Sequence, residues 1–226
     1  MKLPTQIILI YLLFLGCILD SVASFRQKAN KQKAEEAVEE QTKNCPTTGT
    51  NSDDAIMNTV IRTSSTLTLA AADAIANAAI SAVGKLAKPS PVAVTVLDNA
   101  GNIIVQKRMD GCPAGAYAKF SYAKARTCIH LTASSRTFRE KYTGSGEAAR
   151  FTQAASMVSV MEGELIPVAG GVLIKSVIDG GIVGAVGVSG AAADEDEYLA
   201  IQGVLLGIED GVVIPEPADH QCKTCS

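Results

Sequence analysis

The chain has no tryptophan, five phenylalanines and five tyrosines in 226 residues. So few rings exclude a core built on aromatic stacking. The 47% of hydrophobic residues must pack as Ala, Val, Ile and Leu. Strong charge is also missing. A net charge of −3 leaves no basic footprint for nucleic acid, and the mixed signs of the central part give none for a membrane surface. No P-loop or dinucleotide fingerprint occurs, and Gly170-Gly171 and Gly180-Gly181 read as turns. Neither a Ser-His-Asp arrangement nor an HExxH stands out. Ser121 and Lys124 have the Ser-x-x-Lys spacing of some acyl-transfer enzymes but lack the supporting Lys-Thr-Gly and Ser-Asp-Asn elements. Enzymatic function is therefore left without a nucleophile–base pair to carry it.

What is present begins with a targeting signal. Lys2 supplies the positive end, Ile7 to Leu15 is an uncharged apolar run, and Val22-Ala-Ser24 offers small residues for cleavage before Phe25. The apolar run ends before Asp20, at the short edge of the roughly 17–25 residues a spanning helix needs. The reading is a signal peptide over 1–24, export through the secretory pathway, and no membrane attachment after cleavage. A retained anchor and a bipartite plastid leader are the alternatives, although Glu35, Glu36, Glu39 and Glu40 are unlike a transit peptide. Residues 25–64 are polar linker. Cleavage leaves Cys45, Cys112, Cys128, Cys222 and Cys225, an odd set for an exported chain. A bridge from Cys45 to the Cys222-x-x-Cys225 pair, a local Cys222–Cys225 bond or free thiols are all open. A zinc site on His220, Cys222 and Cys225 lacks a clear fourth ligand.

Periodicity then sets out a domain over 65–210, followed by a cysteine-containing tail over 211–226. Leu67 to Leu86 carries Ala71, Ile75, Ala78, Ala79, Ala82 and Leu86 at helical spacing, with Thr68 as cap. Val92 to Leu97 and Ile103 to Arg108 are β-rich runs joined by a five-residue turn. Tyr117 to Ala133 reads as a helix with Phe120, Ala123, Thr127 and Leu131 inward. The stretch 134–163 is mixed, with a short helix or covering loop from Ala148 to Met161. Val172 to Lys175 and Ile182 to Val188 form a second hairpin, and a helix from Asp194 to Ile208 closes the domain. Asp194 is expected to cap it. The expected class is α+β: an antiparallel sheet of hairpins with helices packed on it, in the order helix, hairpin, helix, hairpin, helix.

Several segments occur in an order that resembles a known family. They are Leu67-Thr-Leu-Ala-Ala-Ala-Asp-Ala-Ile75, Val94-Thr-Val-Leu-Asp98, Gly101-Asn-Ile-Ile-Val105, Arg108-Met-Asp-Gly111, Ser121-Tyr-Ala-Lys-Ala125, Ala169-Gly-Gly-Val172 and Gly184-Ala-Val-Gly-Val-Ser-Gly190. Together they resemble the GlcG/HbpS-like haem-binding family, to which the C-terminal domain of PduO-type corrinoid enzymes is related. The resemblance implies an antiparallel sheet flanked by helices, a homo-oligomer, and binding of haem, with a corrinoid or iron as alternatives. Some relatives place a His on the first helix; Leu67 to Leu86 has none, so that ligand is not carried over.

Of the two histidines, His130 lies within this domain and is the candidate iron ligand; His220 lies in the tail. Tyr117, Cys112, Cys128 and Met109 are lesser ligand candidates. Lys124 and Arg108 are the candidate partners for haem propionates, with Lys119 and Arg126 behind them. The acidic run Asp194-Glu-Asp-Glu197 argues against a metal site, because consecutive helix residues point in different directions. The functional expectation is a non-catalytic protein that binds or senses haem or a related tetrapyrrole. An oligomeric scaffold without cofactor, or an enzyme on a small oxidised metabolite, are the alternatives.

Overall fold

The computed structural model describes residues 65–113, 115–144, 146–208 and 211–225. The expected signal peptide, the linker and Cys45 lie outside them.

Two β-hairpins form the centre. Strands β1 (Ala93–Asp98) and β2 (Ile103–Arg108) make the first, β3 (Gly171–Ser176) and β4 (Ile182–Ser189) the second. The hairpins join through antiparallel pairing of β1 with β4, from Ala93↔Ser189 to Asp98↔Gly184. A fifth strand, β5 (Val213–Glu216), pairs with the outer edge of β3, giving the order β2-β1-β4-β3-β5. The tail expected from Pro215 and Pro217 thus supplies a strand. Proline is tolerated there because β5 is an edge and one side of it needs no ladder bonds.

Helices cover both faces. On one lie α1 (Leu69–Ala82, continued by a 3-10 turn at Val83–Lys85) and, further along the chain, the C-terminal helix Ala193–Gly207. On the other lies α2 (Ala116–Leu131), followed by α3 (Ser135–Thr143) and α4 (Ala148–Val160); the C-terminal helix is therefore α5. Strand alternation divides the core accordingly. Val94, Val96, Val172, Ile174, Val186 and Val188 pack with Ile75, Ala79, Leu199 and Ile201 of α1 and α5. Leu97, Leu173 and Ala185 pack with Ala125 and Cys128 of α2. A third cluster, Phe138, Ala154 and Leu165, joins α3 and α4 to the C-terminal end of α2.

The small residues act as seats. Gly203 and Gly207 of α5 lie against Ala79 and Ile75 of α1, so the two helices meet almost backbone to backbone. Gly171 and Gly187 are partners across the β3–β4 ladder, and α2 rests on both. This contact turns α2 relative to the expected face. Its buried residues are Ser121, Ala123, Lys124, Ala125, Thr127 and Cys128, while Phe120 is 44% exposed.

The acidic start of α5 is mostly paired. Ala192 takes the N-cap position, and Glu195 accepts from the Ala192 N–H at 3.0 Å. Asp194, expected as the cap, accepts instead from Arg136 at 2.5 Å. Arg136 also donates its Nε to both oxygens of the fully buried Glu197, at 2.9 and 2.8 Å. Cys222 and Cys225 form the local disulfide, so neither is available to Cys45. Cys112 and Cys128 are free and buried; Cys112, read from its turn as exposable, is 3% exposed.

Candidate functional site: a groove at His130

A groove of about 410 Å³ opens where the end of α2 meets α4. Its walls are Leu131, Met157, Val160, Met161 and Leu165, with His130 as the one imidazole. Gln153 and Ser156 add polar groups at the helix α4 side. The sequence builds this wall by periodicity: Gln153, Ser156, Met157 and Val160 recur every three or four residues of α4 and so share a face. The other faces of α4 are little buried. Ala154 is its only fully buried side chain, and Phe151, away from the groove, is 64% exposed; on the groove wall itself Val160 is 79% exposed.

His130 is held by one carboxylate. Its Nε2 lies 3.1 Å from Glu164 Oε2. The same oxygen accepts from Arg126 Nε at 3.0 Å and makes a further short bond with its Nη2. The Tyr122 hydroxyl donates to Glu164 Oε1 at 3.3 Å. These bonds, Arg126 foremost and against a smaller desolvation penalty, hold the Glu164 carboxyl below its ordinary range. Arg126 is anchored in turn by the carbonyl of Gly101, at 3.0 Å. Gly101 stands in the β1–β2 turn at φ +88°, and a Cβ there would strike the guanidinium. The turn is set by Asp98, whose Oδ1 accepts from Ala100 N at 2.9 Å and Asn102 N at 2.7 Å.

The other residues singled out from the sequence lie elsewhere. Lys124 is 2% exposed. It donates to Asp196 Oδ2 at 2.7 Å and to the Val188 carbonyl at 2.9 Å. Burial pushes the Asp196 carboxyl up to about 6 despite the pull of Lys124. Arg108 is exposed at the end of β2 and donates to the Cys112 carbonyl at 2.7 Å. Tyr117 is half-buried at the start of α2, with its ring 6.3 Å from that of Phe120. None of these three lines the groove. Met109 accepts from Val92 N through sulfur at 3.4 Å, and burial raises the Cys128 thiol to about 12. Among the described residues no three His, Cys, Asp or Glu side chains converge as a metal site. The sequence reading passed over Glu164 and Tyr122. The available signal was the spacing of Tyr122, Arg126 and His130, each four residues apart on one helix face.

The family model described as haem degrading protein HbpS-like matches residues 67–205. The chain belongs to the HbpS-like family. Among solved structures, this HbpS-like chain is similar to a double mutant of HbpS from Streptomyces reticuli, at 27% identity over 71% of this chain and 94% of that one, with a TM-score of 0.53. It shares its fold with a PduOC–haem complex (21% identity, 65% and 98% covered, TM-score 0.55). It also shares it with the Klebsiella pneumoniae protein ORFY (23% identity, 66% and 94% covered, TM-score 0.56). No curated protein matches the chain significantly.

Proposed function

We propose that this HbpS-like chain binds haem, or a related tetrapyrrole, in the groove at His130. The observation that carries the reading is the juxtaposition of one imidazole with an aliphatic and thioether wall in an open groove of about 410 Å³. That volume lies within the range of small-molecule sites. The donor set fits the group: imidazole and thioether are both haem ligands, and the wall is apolar as the face of a macrocycle requires. Openness suits a ligand whose carboxylates stay in water. Bound haem would supply a redox-active iron; His130 would hold it, and Leu131, Val160 and Leu165 would shield one side from solvent. PduOC, of the same fold, forms a complex with haem.

Hemin titrated into the purified protein should give a Soret band displaced from that of free hemin, saturating near one equivalent. His130→Ala should change that spectrum. No displacement in the wild type would refute the reading, and an unchanged spectrum in the variant would clear His130. Following the band over hours reads whether the macrocycle is consumed, the activity named for the family.

The homo-oligomer and the export route belong to the same proposal. Two exposed apolar residues of α4, Val160 on the groove wall and Phe151 on the opposite face of the helix, favour a covering copy. Light scattering would test this, and mass spectrometry of native material should find a mature chain beginning near Phe25.

A further inference from the structure

Glu164 meets His130 through the wrong nitrogen for an iron ligand at rest. A carboxylate only accepts hydrogen bonds, so the proton of a neutral His130 ring sits on Nε2, the atom 3.1 Å from Glu164. The remaining nitrogen, Nδ1, has no hydrogen-bond partner among the described residues. It is nevertheless a poor ligand for a flat macrocycle. Nδ1 neighbours the ring carbon that carries Cβ, so a porphyrin placed on it would run into the side chain's own stem and the α2 backbone. Nε2 is the unhindered atom, and Glu164 occupies it.

The clasp is built to hold, and also to let go at modest cost. Glu162 and Gly163 turn the chain with positive φ, 52° and 84°, which returns Glu164 to α2 directly after α4. There it receives Tyr122, Arg126 and His130 from one helix face. When His130 leaves, Arg126 still makes two bonds to the carboxylate and Tyr122 one. No buried charge is stranded, since Glu164 is 34% and His130 28% exposed.

Resting on the haem-binding reading, we propose that Glu164 is a latch: it holds Nε2 of His130 in the unliganded protein, and iron ligation requires that this hydrogen bond be exchanged for the metal. Glu164 is then a positioning residue that sets how readily the site accepts a porphyrin. This differs in sign from the usual outer-shell carboxylate, which strengthens a metal site.

The sign is the test. Hemin affinity is measured by Soret titration of the full chain and of Glu164→Gln, Glu164→Ala, Tyr122→Phe and His130→Ala, with melting curves to show that each folds. A charged hydrogen bond of ordinary strength corresponds to about a tenfold or greater effect on an equilibrium. Glu164→Ala should therefore bind hemin about tenfold tighter or more. Glu164→Gln, whose amide oxygen still accepts a weaker neutral bond, should gain less. The melting curves and saturation near one equivalent tie the gain to folded protein. Tyr122→Phe should stay near wild type, and His130→Ala should lose the gain when combined with Glu164→Ala. Equal or weaker binding by both Glu164 variants overturns the latch while leaving the haem reading standing. Nitrogen-15 spectra of the hemin-free protein separate the two ideas. A hydrogen-bonded Nε2–H that changes in Glu164→Ala supports the latch, and a ring protonated on Nδ1 overturns it. If neither the wild type nor any variant binds hemin, the haem reading fails and the latch falls with it.

Discussion

Gly187 of β4 lies directly beneath the carbonyl of Ser121 on α2. A Cβ at that position would collide with the Ser121 oxygen and with the Ala125 amide of the next turn. Backbone atoms cannot rotate away as a side chain can, so the helix itself would have to lift. Gly187→Ala should cost about 1–3 kcal/mol or more, the range for overpacking a close-packed core. Gly171→Ala, whose Cβ would meet the Lys124 carbonyl, should behave alike. By contrast Gly84→Ala, with nothing near its Cβ, should be neutral within about 0.5 kcal/mol. Urea unfolding of the three variants checks the contrast.

Lys124 and Asp196 form a second test of the same layer. Both are nearly excluded from water, at 2% exposure each. Removing one partner leaves a buried charge alone, so Lys124→Met should lose about 3–5 kcal/mol. The pair Lys124→Met with Asp196→Leu should recover at least half of that loss. The remainder is the Ala191 N–H and the Val188 carbonyl, which lose their bonds to Asp196 and Lys124. A double variant no more stable than the single one would show that the pair does more than neutralise itself.

Two of the perturbed carboxylates, Asp196 and Glu164, predict opposite pH responses. Asp196 is raised by burial from 3.8 to about 6. A carboxyl raised on folding binds its proton more tightly in the native state, so its contribution to stability falls as pH rises from about 4 to about 6. Glu164 is lowered, chiefly by Arg126. Its contribution is present above the ordinary range of 4.5 and is lost as pH falls through the lowered value. Carbon-13 titration of the two carboxyls should place their inflections on opposite sides of the ordinary range. Arg126→Ala should return Glu164 toward 4.5.

Cysteine reactivity gives a simple check on burial. The thiolate is the reacting form, and the Cys128 thiol, fully buried, is pushed up to about 12. Cys112 is raised as well, by desolvation. Alkylation at pH 8 followed by peptide mass spectrometry should leave both unmodified in the native protein and label both in denaturant. Peptides holding Cys222 and Cys225 should label only after reduction. Native labelling of Cys128 would mean that α2 separates from the sheet on the time scale of the reaction.

The fold was largely legible where periodicity and turn chemistry agreed. The alanine spacing of α1, the capping hydroxyl of Thr68 (3.2 Å from Ala71 N) and the Asp98 turn all follow from local rules. Depth was the quantity that local rules missed. Lys124 reads as a partner for a ligand carboxylate in sequence because nothing nearby reveals that Gly171 and Gly187 admit α2 so closely. Phe120 reads as core by hydrophobicity, yet the glycine seats rotate it outward. The site divides in the same way. His130 stands out because histidine is scarce, but its wall comes from α4 and its partner from Glu164, well removed along the chain. Pro215, inside β5, and Pro217, just after it, disguised the strand, whose edge position permits the first.

That last strand has a consequence for the nascent polypeptide. Everything from α1 to α5 can assemble while β3 still shows a bare row of amide and carbonyl groups along its outer side. Only when residues 213–216 emerge from the ribosome is that margin covered. Ribosome stalling or truncation before this point would leave a half-made molecule whose open border invites pairing with its neighbours.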